Sequence, residues 1–474
     1  MILTDYVLLE IFDFYRHTHD DTLWEWHILA HVCRRWRQIV FESPCRLGLK
    51  IRCTPKTPAR KNLGIWPAFP IAIDFCSTSF DSIPGDAIAA LEHADRVASL
   101  KLDLTASDLR SQTFATLTSK PFPILTHLIL YVEDRHTSLL PGDFLGGSAP
   151  RLQSIHLRNI TFTALQSLLL TASDLVELQL RKIPKAGNMI YPSAMVICLA
   201  QLPRLKTLVL QFRSAFPLPV HPHPVTRSVL PALTNFEFMG TSQYLEEFVA
   251  QIDCPRLNQI AILYQIQPAI FQVPQLAKFF NRSISPFRHA NVCFDEFSVT
   301  FDLYRPTNRT GWDSHHPATT IISCKPIISA WYLFRILDGL SVTLATVVDL
   351  KFMGNSWANS IVGDQYNLEW LHFLRQPSAL RALYVPPQLA EIIGRALKFV
   401  KGEVVAEALP SLDLICLEDQ ASYIEEFVAF RQLSDRPLTV VGTEAEFDQR
   451  LGERLRMSYT HFFFNFFNFF WNPL

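Results

Sequence analysis

A short string of the form apolar-x-x-apolar-x-apolar recurs along this chain, and no other feature limits its possible folds so sharply. It stands as Val97-Leu100-Leu102, Leu125-Leu128-Leu130, Leu152-Ile155-Leu157, Leu175-Leu178-Leu180, Leu205-Leu208-Leu210, Leu233-Phe236-Phe238 and Leu257-Ile260-Ile262. Successive copies begin 28, 27, 23, 30, 28 and 24 residues apart. Alternation in the last positions sends apolar side chains to one face of a short strand. The stretches between, such as Ile88 to Leu91, Thr163 to Leu170 and Leu245 to Ile252, have helical spacing that covers that face. One strand and one helix cannot bury their own apolar surface, so neighbouring copies must stack and share a continuous core. Weaker copies follow at Phe294-Phe297-Val299, Ala345-Val348-Leu350, Leu380-Leu383-Val385 and Leu412-Ile415-Leu417, after wider gaps of 37, 51, 35 and 32. Residues 70–75, Pro-Ile-Ala-Ile-Asp-Phe, supply an opening strand ahead of the series.

Period and string together resemble leucine-rich repeats. The resemblance implies an α/β fold, a curved leucine-rich-repeat-like solenoid with a parallel strand ladder. The asparagine that often follows the strand in regular repeats is missing: Thr105, Glu133, Ile160, Ile183, Arg213, Thr241 and Gln265 stand in its place. Side chains that alternate with the apolar ones are expected to face outward along the strands. They include Lys101, Asp103, His127, Tyr131, His156, Arg158, Gln179, Arg181, Gln211, Asn235, Glu237 and Gln259. Solenoids hold proteins across such a face. The wider gaps, 264–290 and 304–329, are expected to be loops carrying Phe279, Phe280, Arg282, Trp312, His315 and His316.

Ahead of the repeats the chain has a helical grammar. Thr4 or Asp5 caps a helix whose apolar positions Val7, Leu8, Ile11, Phe12 and Tyr15 form one broad stripe, and the polar stretch 17–22 ends it. A second periodic run places Ile28, Leu29, Val32, Cys33, Trp36, Ile39 and Val40 on one side, until Ser43-Pro44 stops it. A helical unit of this size buries too little surface to stand alone and must lean on the rest of the chain or on a partner.

Within it, Leu3-Thr4-Asp5-Tyr6-Val7-Leu8-Leu9-Glu10-Ile11-Phe12, then His31-Val32-Cys33-Arg34-Arg35-Trp36 after a spacer, resemble the two blocks of the F-box motif. The stretch after Ser43-Pro44 resembles the continuation found in F-box proteins of mushroom-forming fungi. The family's second-position proline is Thr4 here. The resemblance implies docking on the Skp adaptor, and through it on a cullin ubiquitin ligase, with Leu3, Val7, Leu8, Ile11, Val32, Cys33 and Trp36 as adaptor-facing or supporting positions. An unidentified target protein would then lie on the solenoid. The domains expected are residues 1–50 as the helical F-box, 51–90 as connector and opening strand, 91–440 as the repeat body, and 441–474 as an extension with a Phe-rich tail. The alternative is a non-catalytic repeat scaffold whose helical front serves something other than a ligase.

Composition closes off other classes. With 43 Lys+Arg against 44 Asp+Glu there is no basic field for nucleic acid. The nine cysteines are scattered with no CxxC pair, the usage of reduced thiols in the cytosol or nucleus. No G-x-S-x-G elbow, phosphate-binding G-x-x-x-x-G-K-[ST] loop or H-E-x-x-H helix occurs, so no catalytic residue, cofactor or metal ligand is expected. His221, His223, His315 and His316 lack companions in ligand spacing. The tail, Phe462 to Trp471, is too short to span a bilayer as a helix, so no transmembrane segment is expected.

Overall fold

The computed structural model describes residues 3–18, 26–44, 46–55, 59–75, 85–105, 117–118, 120–132, 138–140, 143–162, 165–184, 191–213, 227–264, 273–284, 286–294, 299–304, 320–324, 338–354, 367–398, 409–417 and 421–450. It falls into two compact units, Met1–Leu178 and Gln179–Leu474. The Phe-rich tail, Trp312 and the four histidines 221, 223, 315 and 316 lie outside the described residues.

The first unit opens with three helices, α1 (Asp5–Thr18), α2 (His27–Val32) and α3 (Arg34–Glu42). Thr4 starts α1: its carbonyl accepts from Leu8 N at 3.1 Å and its hydroxyl from Val7 N at 3.4 Å. The second periodic run is not one helix as expected. It breaks at Cys33, whose backbone is extended (φ −159°, ψ 169°) and whose Sγ accepts from Trp36 N as the cap of α3. The break lets Leu29 and Ala30 of α2 and Ile39 and Val40 of α3 all turn inward, and Arg37 Nε donates to the Ala30 carbonyl at 2.9 Å across the joint.

A ladder of parallel strands follows: β1 (Ile51–Cys53), β2 (Ile71–Phe75), β3 (Val97–Leu104), β4 (His127–Val132) and, beyond the short β5 (Ser138–Leu140), β6 (Ser154–Arg158). Helices α4 (Ala59–Ile65) and α5 (Gly85–Leu91) link the first three, and β7 (Ile160–Phe162) pairs with β5 in a separate two-stranded sheet. The ladder begins one strand earlier than the opening strand at Ile71. Register puts the recurring string in line, Leu100 beside Leu128 beside Ile155 and Leu102 beside Leu130 beside Leu157, all buried. Each such leucine is worth about 1.5–3 kcal/mol of burial. The strand starts are stapled by backbone bonds between repeats, from Thr126 N to Ala98 O (2.9 Å), from Gln153 N and Ser154 N to Thr126 O (2.8 and 3.1 Å) and from Val176 N and Glu177 N to Gln153 O (2.8 and 3.0 Å). Asn159, one position before Ile160, is left-handed (φ 59°) and donates its amide to the Val132 carbonyl at 3.1 Å, so an asparagine does satisfy the repeat turn here.

The chain passes into the second unit within β8 (Glu177–Ile183). There β9 (Thr207–Phe212), β11 (Asn235–Gly240) and β13 (Gln259–Tyr264) continue in parallel, with β10 (Ser228–Val229) and β12 (Ile252–Asp253) paired apart from them. Then the order changes. β14 (His289–Phe294), β15 (Val299–Tyr304) and β16 (Thr320–Cys324) form an antiparallel meander, and the sequence of neighbours runs β13-β16-β15-β14-β17. β17 (Asp349–Gly354), β18 (Ala382–Val385), β19 (Leu414–Leu417) and β20 (Thr439–Val441) resume the parallel ladder. The sheet is thus mostly parallel and leucine-rich-repeat-like, as expected, with one reversal.

That reversal corrects the copy expected at Phe294-Phe297-Val299. Only four residues, 295–298, separate β14 from β15. A parallel crossover needs a dozen or more residues, so the chain must fold back on itself. The expected loop 264–290 is corrected too: Phe279, Phe280 and Arg282 belong to the helix Pro274–Ser283. Leu276, Phe279 and Phe280 are spaced i, i+3, i+4 and are buried, while Arg282 pairs with Asp253 at 2.9 Å.

Candidate functional site

The three opening helices carry two different apolar faces. Leu8 and Phe12 of α1 point inward with Leu29, Ala30, Ile39 and Val40, and Phe12 meets the Trp36 ring edge-on. About 100° round the helix, Val7, Ile11 and Phe14 follow one another at steps of four and three and remain exposed, as does Leu3 just ahead of the helix. Tyr6 on α1 and Ile28 and Val32 on α2 are exposed as well. Half of the large apolar side chains left exposed among the described residues therefore lie between Leu3 and Val32.

This face sits on a fixed base. Arg35, two residues into α3, bonds Asp5 through Nε at 3.0 Å and reaches the Leu3 carbonyl, which pins the start of α3 to the start of α1. Arg46 pairs with Glu10 and lies over the Tyr6 ring at 5.5 Å. Trp26 anchors the helices to the beginning of the ladder: its indole N–H donates to the Lys50 carbonyl at 2.8 Å, and its rings pack on Trp66 and Phe69 at 5.0 and 5.3 Å.

Of the residues expected from the sequence, Leu3, Val7, Ile11, Val32 and Cys33 are exposed; Leu8 is buried and Trp36 half-buried, both within the seam. Tyr6, Phe14 and Ile28 were missed as surface positions. Phe14 is three residues on from Ile11, a spacing that places it on the same stripe.

The outward strand side chains behave differently in the two units. In the first, His127 is exposed and the His156, Arg158 and Tyr131 side chains are half-buried. Partial desolvation of its ring, and next the Lys50 charge, hold the His127 imidazole below its ordinary value. His156 Nε2 lies 3.1 Å from both Ser154 Oγ and Glu177 Oε2. One ring nitrogen thus faces hydroxyl and carboxylate together, whereas nucleophile activation needs them on opposite nitrogens. In the second unit Gln211 and Glu237 are buried and bonded to each other, with Arg181 3.8 Å from the same carboxylate. Burial raises the Glu237 carboxyl above its usual range against the pull of Arg181 and Gln211. These two side chains are not the open recognition surface expected of them.

Among the described residues no three His, Cys, Asp or Glu side chains are grouped to hold a metal ion, and no helix is long and apolar enough to cross a membrane. Compared by sequence, the chain matches no family model and no curated protein. Compared by structure, it is similar to the TLR13–ssRNA13 complex (13% identity, TM-score 0.33, covering 82% of this chain and 48% of that one). It is also similar to the Rad7–Elc1 complex in yeast (11% identity, TM-score 0.25, covering 93% and 94%). The chain spans about half the length of the TLR13 chain.

Proposed function

We propose that this chain is a non-catalytic substrate-recognition subunit of a Skp-cullin-F-box type ubiquitin ligase. The helical front docks on the Skp adaptor, and the strand ladder holds a target protein. The chain contributes proximity; bond chemistry is left to the ligase. The observation that carries the reading is the second apolar face of α1, where Val7, Ile11 and Phe14, with Leu3 just ahead of them, are held exposed on helices whose own seam is already filled. A few such anchors, each worth about 1.5–3 kcal/mol when covered by a partner, suffice to dominate an interface.

A second reading, a repeat scaffold outside any ligase, is favoured by one detail. Leu8 and Trp36, two of the motif positions, are taken up by the chain's own seam. Affinity copurification with the Skp adaptor separates the two. The intact chain should recover the adaptor, and Val7→Asp with Ile11→Asp should lose it while the thermal unfolding midpoint stays put. Failure of the intact chain to recover the adaptor overturns the ligase reading and leaves the scaffold.

A further inference from the structure

The leucine face of the closing strands runs in register, Leu350 beside Leu383 beside Ile415, and the helix Asn367–Arg375 packs on that side, its Trp370 ring 5.6 Å from Phe352. The helix Glu444–Arg450 does not. Its Phe447 is fully buried among Ala382, Tyr384, Leu414, Cys416 and Val441, which are the side chains that alternate with the leucine face. It therefore sits on the opposite side of the sheet, the side on which a solenoid of this type presents its recognition surface.

The contact has the parts of a specific recognition slot. The Phe447 ring lies 5.8 Å from Tyr384. Lys351, in register with Tyr384, is 3% exposed and holds its ammonium 5.5 Å from the Phe447 ring, 5.8 Å from the Tyr384 ring and 3.7 Å from the Glu444 carboxylate. A lysine buried on a strand face needs compensation for its charge; Glu444 supplies an anionic partner, and Phe447, three residues on, sets its ring against the same ammonium. Glu444 itself is 39% exposed, so the polar end of the contact is open to water.

We propose that the outer face of β17–β20 is a docking slot for a peptide carrying an acidic residue three positions before an aromatic one, and that the chain's own Glu444 and Phe447 occupy it as a displaceable plug. This deepens the reading of the strand ladder as the target-holding side and rests on that part of it. The adaptor face lies on other residues. The slot recognises the aromatic ring by the apolar walls of Tyr384, Cys416 and Val441 and the acid by Lys351.

The test uses the full chain and a fluorescein-labelled peptide of residues 443–450, Thr-Glu-Ala-Glu-Phe-Asp-Gln-Arg. A site occupied by its own plug binds a competitor weakly in proportion to the time it is vacant. Fluorescence anisotropy should show the Phe447→Ala chain binding the peptide at least about tenfold tighter than the unaltered chain. A peptide with alanine for the phenylalanine should lose that binding. Equal affinity for both chains, or no binding to a Phe447→Ala chain that still unfolds cooperatively, overturns the proposal. Hydrogen exchange on the unaltered chain provides the second measurement. Excess peptide should release protection of the 444–450 amides while β17–β19 keep theirs, and release of all together or of none overturns the slot. Adaptor copurification from the same preparations reads the other half of the function separately.

Discussion

Phe12 of α1 and Trp36 of α3 meet with ring centroids 4.8 Å apart and planes at 61°, and around this contact the front helices close. Phe12 is fully buried, so Phe12→Ala should destabilise the chain by about 3–5 kcal/mol. Trp36→Ala, at a half-buried site, should cost less, and the double mutant should show a coupling of about 1 kcal/mol. Urea unfolding of the four proteins checks it. Additive single effects would show that the rings do not act as a pair.

Glu246 acts between repeats. From the helix Ser242–Ala250 its carboxylate accepts from Gln275 N at 2.7 Å and Leu276 N at 2.9 Å, capping the helix Pro274–Ser283, whose own cap residue Val273 has no acceptor to offer. Glu246→Ala leaves two part-buried donors without this cap and should lower stability by about 1–2 kcal/mol. Glu246→Gln keeps one acceptor oxygen and should cost less. The loss should show as faster amide exchange in residues 274–283.

Stability should fall as pH rises toward neutral, and Asp302 should account for part of the slope. In β15 it is buried opposite Asn291 of β14, and each has a side-chain oxygen without a hydrogen-bond partner. Burial raises the Asp302 carboxyl from 3.8 to about 7. Between those values the folded chain holds a proton that the unfolded chain has released, so this contribution is complete below about 4 and is lost as pH passes about 7. Asp302→Asn should flatten that part of the profile in denaturant midpoints taken from pH 4 to 8. An unchanged slope would remove Asp302 from the account. Glu246, raised by burial to about 7, supplies a second contribution of the same sign that the variant leaves in place.

Gly146 and Gly64 should respond in opposite directions to alanine. Gly146 has φ +61° and an added Cβ would lie 2.8 Å from Pro121 N, so Gly146→Ala should destabilise by more than about 1 kcal/mol. Gly64, inside α4, has nothing within 4 Å of the added atom, and Gly64→Ala should gain up to about 1 kcal/mol of helix propensity. Thermal melts of both variants check the signs.

Much of the ladder was legible because its signal is local. Leu128 and Leu130 are two residues apart, and in an extended chain that separation by itself puts both on one face, so the strands of the first unit and the parallel strands at Leu350, Leu383 and Ile415 could be read one repeat at a time. The helix containing Phe279 and Phe280 was legible in principle, since their spacing from Leu276 is helical, but the length of the gap between strings suggested a loop. The stripe Leu3, Val7, Ile11 was legible as apolar, while its exposure was not: periodicity counts apolar residues on a face and is silent on whether anything covers them.

The chain's own sequence determined the strands that carry the recurring string, which side of each is apolar, and that the copies must stack, because these follow from backbone periodicity and the cost of leaving leucines in water. Tertiary structure alone decided the rest. It inserted β15 and β16 between β13 and β14, turned Leu8 and Trp36 inward while leaving Val7 and Ile11 outside, and laid Phe447 on the face opposite the leucines. Each of these depends on which distant segment reaches a surface first and fills it, and contact between residues far apart in the chain leaves no mark on the spacing of their neighbours.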